Sequence, residues 1–459
     1  MSAQRLSFER VGDDTVDDTA MVKRVCASSS TDTPIAEDVA TTSLDVCSST
    51  LIDTPAAKRT APSLLDILNR DRFPFWDYLC PYLPTTSIQA LSQTCRPLRQ
   101  QVLDVNRNLE RFVTNARRLR ALLGEHDALI SGSFALQFFL AERWPGSDLD
   151  IFVRKGDGAN ALGAYLETEE NYVLESGSKD SNYDWGEMRE VKSYRRLDSA
   201  RSKVQIIATQ YQPINAILTG FYMTAVLNII SWNKAYCIFP YETMVQRKTF
   251  MLKECNEYFE GLLFKYSRRG FVNEDIVPPG DHLPASSLQG IRRIGDSRTL
   301  TVELPKDGVH PKSVASDVAL EYSGFDFEPV RVLTDDPIDE PTCHYRIMTR
   351  RFVHISLRQE YSFPTACELQ ELLGGRLHKS AKMSLLSMPP ADRPKWFGGA
   401  YGRTSIDHYW RGHSAKKPPH GFKRPHEWRY RDADVPHWYQ LWFEELEADE
   451  KALRTTTRY

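Results

Sequence analysis

Residues 130–153 constrain the fold of this chain more than any other stretch. Ile130-Ser131-Gly132-Ser133-Phe134 puts a Gly-Ser pair at the head of an apolar run. Gly146-Ser147-Asp148-Leu149-Asp150-Ile151-Phe152-Val153 then puts two carboxylates, one residue apart, at the head of a β-branched and apolar run. The first reads as a helix start, whose free N–H groups and positive dipole end face phosphate oxygens. Gly132 has no Cβ to hold a ligand away from the backbone. The second reads as a strand, on which residues i and i+2 share a face. Asp148 and Asp150 therefore project together toward one hard cation, which prefers oxygen ligands. The plainer reading is a helix start capped by Ser131 or Ser133 and an Asp-Leu-Asp turn into a strand.

The arrangement resembles the polymerase-beta-type nucleotidyltransferase superfamily. That family carries a Gly-Ser helix start, Asp-x-Asp on the next strand and a third carboxylate on a later strand. The resemblance implies Gly132 and Ser133 at the phosphates and Asp148 and Asp150 at the metal, with Mg2+ and a nucleoside triphosphate as the cofactor set. The later strand is Lys203-Val204-Gln205-Ile206-Ile207-Ala208-Thr209, and Gln205 occupies the family's third carboxylate position. An amide is neutral, cannot act as a general base and coordinates Mg2+ weakly. Two-metal chemistry loses its activating ligand there.

A second resemblance lies upstream. Phe73-Pro74, then Tyr82-Leu83-Pro84, then Leu91-Ser92-Gln93-Thr94-Cys95-Arg96-Pro97-Leu98-Arg99 follow a pattern similar to the F-box. Ser87 reads as an N-cap, with Ile88, Leu91 and Cys95 on one helical face. Short helices of this kind bury little surface alone and finish their core against a partner. The resemblance implies docking of a Skp-type adaptor of a cullin–RING ubiquitin ligase, through Phe73, Pro74, Leu79, Leu83, Pro84, Ile88 and Leu91. The plainer reading is a helical bundle packed on the next domain.

With 459 residues, of which 41% are hydrophobic, the chain has material for several cores. A net charge of −3 gives no general case for nucleic acid. The eight cysteines have no CxxC pairing and read as free thiols in a reducing compartment, cytoplasmic or nuclear. No apolar run is long enough for a membrane span.

The expected class is α+β, in five segments. Residues 1–60, rich in Ser, Thr and Asp, form a disordered tail. Residues 61–105 are the F-box-like helical module, and 106–270 a nucleotidyltransferase-like mixed sheet with helices. Residues 271–390 form a smaller β-rich subdomain, and 391–459 an aromatic and basic arm. Expected elements include helices at 109–123, 159–170, 214–232 and 241–266, and at 444–454 a charged helix or a frayed end. A further helix from 365 stops at Gly374-Gly375. Strands are expected at 128–131, 149–154, 190–196, 203–209, 236–240, 299–304 and 346–357. Arg247 and Lys248 are assigned to a solvated helix face. The arm interleaves Trp396, Trp410, Trp428, Trp438 and Trp442 with Lys and Arg. Such a pattern can stack on single-stranded nucleic acid, but anchoring to the domain surface is the preferred reading. Its histidines fit no standard zinc spacing.

Read together, the motifs favour a non-catalytic interaction protein: an F-box-like adaptor with a degenerate nucleotidyltransferase-like domain. The alternatives are a Mg2+-dependent nucleotidyltransferase and a nucleotide- or RNA-binding protein using the same pocket.

Overall fold

A computed structural model describes residues 102–178, 188–197, 199–274, 288–314, 316–332, 342–393 and 428–456, and the single positions 83, 87, 90, 91, 94, 95, 98 and 424. The expected disordered tail lies outside the described residues.

The chain opens with α1 (Val105–Leu109) and α2 (Ala116–Glu125). Asp104 caps α1 by accepting from the N–H of Asn106 and Arg107. Asn115 caps α2 by accepting from the N–H of Arg118 at 2.9 Å. The caps, not the apolar spacing, set where these helices begin, so the helix expected from 109 is two. Then come β1 (Leu129–Ser131), α3 (Gly132–Leu140), β2 (Leu149–Arg154), α4 (Asp157–Glu169), β3 (Tyr172–Ser178), β4 (Met188–Arg196) and β5 (Ser199–Thr209).

The stretch expected as one buried helix at 214–232 is three elements: α5 (Pro213–Gly220), a 3-10 turn at Thr224–Val226 and β6 (Asn228–Ile230). Its polar interruptions take up backbone groups. Thr224 Oγ1 accepts from the Phe250 N–H at 2.9 Å, and Asn228 Nδ2 donates to the Ala225 carbonyl at 2.7 Å. Side chains that bond locally compete with a helix ladder. After β7 (Lys234–Cys237), the helix expected at 241–266 is also divided. A π-turn at Tyr241–Gln246 ends at Arg247, whose φ is 55°. Then β8 (Lys248–Thr249) precedes α6 (Glu257–Ser267), which Asn256 caps by accepting from the Phe259 N–H.

The remainder comprises β9 (Val272–Asn273), β10 (Gly290–Arg293), β11 (Leu300–Glu303), α7 (Val318–Glu321), β12 (Gly324–Val332), β13 (Thr342–Met348), β14 (Arg350–Phe352), β15 (Tyr361–Phe363), α8 (Cys367–Leu386) and α9 (Val435–Thr456). Gly374-Gly375 does not stop α8. Leu369, Leu373, Leu377, Ala381 and Leu385 form a stripe at four-residue spacing that is buried throughout. Burying each such Leu is worth about 1.5–3 kcal/mol, against about 1 kcal/mol lost per helical glycine.

The large sheet runs β11-β7-β6-β1-β2-β5-β4-β3. Its β2–β5 pair is parallel, with Asp150 opposite Gln205; the other pairs are antiparallel. With helices on it, the class is α+β, as expected. The sheet crosses the boundary drawn at 270, because β11 pairs with β7 in the register Leu300↔Cys237. A separate sheet, β10-β12-β13, follows. Strand β3 was not expected. It is an edge strand whose Val173 and Leu174 are exposed, so it lacks the alternation that marks a half-buried strand.

Both faces of the large sheet are covered. Ile130, Ile151, Val153, Val204 and Ile206 share a core with α2, α3 and α4. Leu129, Phe152, Ile207 and Ile229 share one with α5 and with Phe325, Phe327, Tyr345 and Ile347 of the neighbouring sheet. A third core joins α8 and α9. Arg120 is fully enclosed and ties the first core together. It donates to the carbonyls of Trp232 and Pro305 and to Asn106 Oδ1, all within 2.9 Å. Burial, chiefly, lowers its pKa to about 10.

Candidate functional site

The turn from β1 into α3 is where the fold meets a cavity. Gly132 has φ +71°, and a Cβ there would sit 2.7 Å from Asp150 Oδ2. Glycine is thus required twice, for its backbone conformation and for its missing side chain. Ser131 sits at the N-cap position but makes no cap hydrogen bond. Its Oγ donates instead to the Asn228 carbonyl at 2.6 Å. The first-turn N–H groups of α3 therefore have no side-chain acceptor of the kind an N-cap serine supplies.

The cavity has a volume of about 510 Å3, and Gly132, Ser133, Asp148, Asp150 and Gln205 all line it. The pleat explains why: Asp148, Asp150 and Phe152 alternate with the buried Leu149, Ile151 and Val153. Asp150 lies between Ser131, its partner on β1, and Gln205, its partner on β5. Its carboxylate opens onto the cavity but is otherwise enclosed by protein. Burial first, and then the charge of Asp148, raise its pKa to about 7, against the opposing pull of Lys265 and Lys203. Burial also raises Asp148, and the same two lysines oppose it.

Gln205 donates from Nε2 to Ser193 Oγ at 3.3 Å. Glu190, on β4, lines the same cavity and lies 3.6 Å from Lys192. Among the described residues no group of three His, Cys, Asp or Glu side chains is placed to hold a metal ion. Asp148 and Asp150, with the amide of Gln205 beside them, Glu190 paired with Lys192 and one lining lysine, Lys265, suit at most a single hard cation. They do not fit a two-ion centre, which needs a third bridging or activating carboxylate.

Several lining residues carry no motif. Phe221 and Tyr222 come from the loop after α5, and Tyr258, Leu262, Lys265 and Tyr266 from α6. The signal that could have found the second set is their three- and four-residue spacing, which puts one face of α6 toward the cavity. The basic residues at 247 and 248 lie elsewhere. Arg247 pairs with Glu142 at 2.5 Å and Lys248 with Glu274 at 2.8 Å.

Of the docking residues, Phe73, Pro74, Leu79, Pro84 and Ile88 lie outside the described residues. Leu83 and Leu91 are half-buried and pack against the first core, as does Cys95. In the C-terminal arm, Trp396 and Trp410 lie outside the described residues. Trp442 is buried beside Tyr439 in the third core, and Trp438 packs at its margin.

No family model matches the chain, and no curated protein matches it. Among solved structures, it is similar to "The structure of CCA-adding enzyme apo form I" at a TM-score of 0.27 and 16% identity. That match covers 38% of this chain and 43% of the other, less than half of its length. A likeness of that size assigns no family.

Proposed function

We propose that this domain binds a nucleoside triphosphate in the cavity of Gly132, Asp148 and Asp150 and does not transfer its nucleotidyl group. The observation that carries the reading is the direct register of Asp150 with Gln205. The place where a third carboxylate would activate an attacking hydroxyl holds a neutral amide bonded to Ser193. The uncapped α3 turn supports phosphate binding, since backbone N–H groups at a helix start suit anions. Phe221, Tyr222 and Tyr258 supply aromatic surface for a base. One Mg2+ brought by the nucleotide would have Asp148 and Asp150 as its protein ligands.

The test is calorimetric titration with each ribo- and deoxyribonucleoside triphosphate in Mg2+, beside incubation with the α-labelled nucleotides. Binding without incorporation is the expected result. No binding of any of them at millimolar concentration would overturn the reading. Incorporation that disappears in Asp148→Ala would favour the Mg2+-dependent nucleotidyltransferase instead.

A docking role for residues 61–105 rests on the motif from Leu91 to Arg99. It would add to nucleotide binding rather than replace it. Co-purification with a Skp-type adaptor, lost on replacing Leu83 and Pro84 with Ala, is the result that reading requires. The packing of Leu83 and Leu91 on the core leaves them less surface to offer a partner.

A further inference from the structure

We infer that the cavity reads the sugar of its nucleotide: Gln205 and Ser193 bind the vicinal diol of a ribose, so that the site takes ribonucleoside triphosphates in preference to deoxyribonucleoside triphosphates. This deepens the nucleotide-binding reading above and rests on it.

Two rows of side chains cross the sheet at the floor of the cavity. One row is polar. Asp150 on β2 is in register with Gln205 on β5, Gln205 with Ser193 on β4, and Ser193 with Ser176 on β3. All four line the cavity. The other row is apolar. Phe152, Ile207 and Val191 are register partners in the same way, two residues away on each strand, and they line the cavity too. The rows share one face of the sheet and lie about 7 Å apart.

Gln205 donates from Nε2 to Ser193 Oγ at 3.3 Å. A hydroxyl that accepts a hydrogen bond still has a proton to give, and an amide oxygen accepts. Among the described residues nothing accepts the Ser193 proton and nothing donates to Gln205 Oε1. The bonded pair therefore leaves one donor and one acceptor for a ligand. Two adjacent hydroxyls, each able to donate and to accept, complement that pair. Ser193 is only 5% exposed, so water does little to satisfy it.

Position favours the sugar over the rest of the nucleotide. Phosphates and one Mg2+ belong with the N–H groups of α3, Asp148 and Asp150. Gln205 is the next side chain along the polar row, one strand spacing of about 4.8 Å from Asp150. The ribose is likewise the next part of a nucleotide beyond its phosphates. The base then reaches the apolar row, where Phe221 meets the Phe152 ring edge-on at 5.9 Å. Glu190, a further acceptor in the cavity, is paired with Lys192. A carboxylate at 205 would be drawn to the metal, whereas the amide stays with the sugar.

The experiment is calorimetric titration in Mg2+ with adenosine, guanosine, cytidine and uridine triphosphates, each in its ribo, 2′-deoxy and 3′-deoxy forms. Removing either hydroxyl should weaken binding by about fivefold or more, the size of one net hydrogen bond. Ser193→Ala and Gln205→Met should each bring the ribonucleotide's affinity down to that of the deoxy forms. A smaller wild-type preference overturns the inference. A preference that survives both substitutions does the same, as does a substitution that changes the order of the bases and not the choice of sugar. Each of these results leaves nucleotide binding standing. Absence of binding by every nucleotide removes the parent reading, and this inference with it. Thermal melts of both variants check that they fold.

Discussion

Asp150 and Gln205 are register partners across the parallel pair of the large sheet, and each also faces the same cavity. Installing a carboxylate at 205 should therefore change the site's electrostatics at once. Gln205→Asp sets a third negative charge beside two that already disfavour one another. In EDTA it should lower stability by about 1–2 kcal/mol, the size of a close like-charge contact. Millimolar Mn2+ should restore most of that loss and leave the wild type nearly unchanged. Urea denaturation with and without the ion reads both effects.

Gly132→Ala tests the turn that brings α3 over Asp150. The new Cβ would meet Asp150 Oδ2 at 2.7 Å in a backbone of φ +71°. Left-handed strain and the contact together should cost about 1–3 kcal/mol by denaturant titration. A loss below about 0.5 kcal/mol would mean that the turn relaxes freely.

His354 offers a pH test away from the cavity. Its Nδ1 accepts from the Ser356 N–H at 3.1 Å. Burial first, and the neighbouring His378 second, lower its pKa from 6.5 to about 3. A base depressed in the folded state stabilises the fold above its unfolded pKa. That contribution is lost as pH falls through the window from 6.5 to about 3. Between pH 7 and pH 5 the loss should be about 2 kcal/mol. His354→Gln, which does not titrate, should flatten the stability profile over that interval.

The glycine pair inside α8 should respond oppositely to Gly132. A Cβ at Gly374 or Gly375 meets nothing within 4 Å, and neither residue has a positive φ. Each change to Ala should raise stability by about 0.5–1 kcal/mol, because alanine loses less backbone entropy in a helix. A fall in melting temperature would mean that the pair serves a contact outside the described residues.

The strands of the site were legible because their signals are local. β2 begins and ends at Leu149 and Arg154 as its β-branched run requires, and β5 contains the alternating segment from Lys203. Elements whose ends depend on distant groups were not. Thr224 and Asn228 looked like interruptions in one helix, and they are hydrogen-bonding points that create a turn and a strand. Gly374-Gly375 looked like a stop, and a buried leucine stripe overrode it.

The sequence by itself determined which chemistry residues 130–153 can present: a glycine at a helix start and two carboxylates on one strand face. Those properties follow from residue type and from the two-residue period of a strand, which need no partner. Only the tertiary structure decided what faces them. Lys265 and the aromatic residues of α6 are remote in sequence from Asp150, and no local pattern couples them. They reach the same cavity because α6 packs its Phe259 and Tyr266 into the core it shares with α3, and burial of apolar surface, not motif, sets that approach.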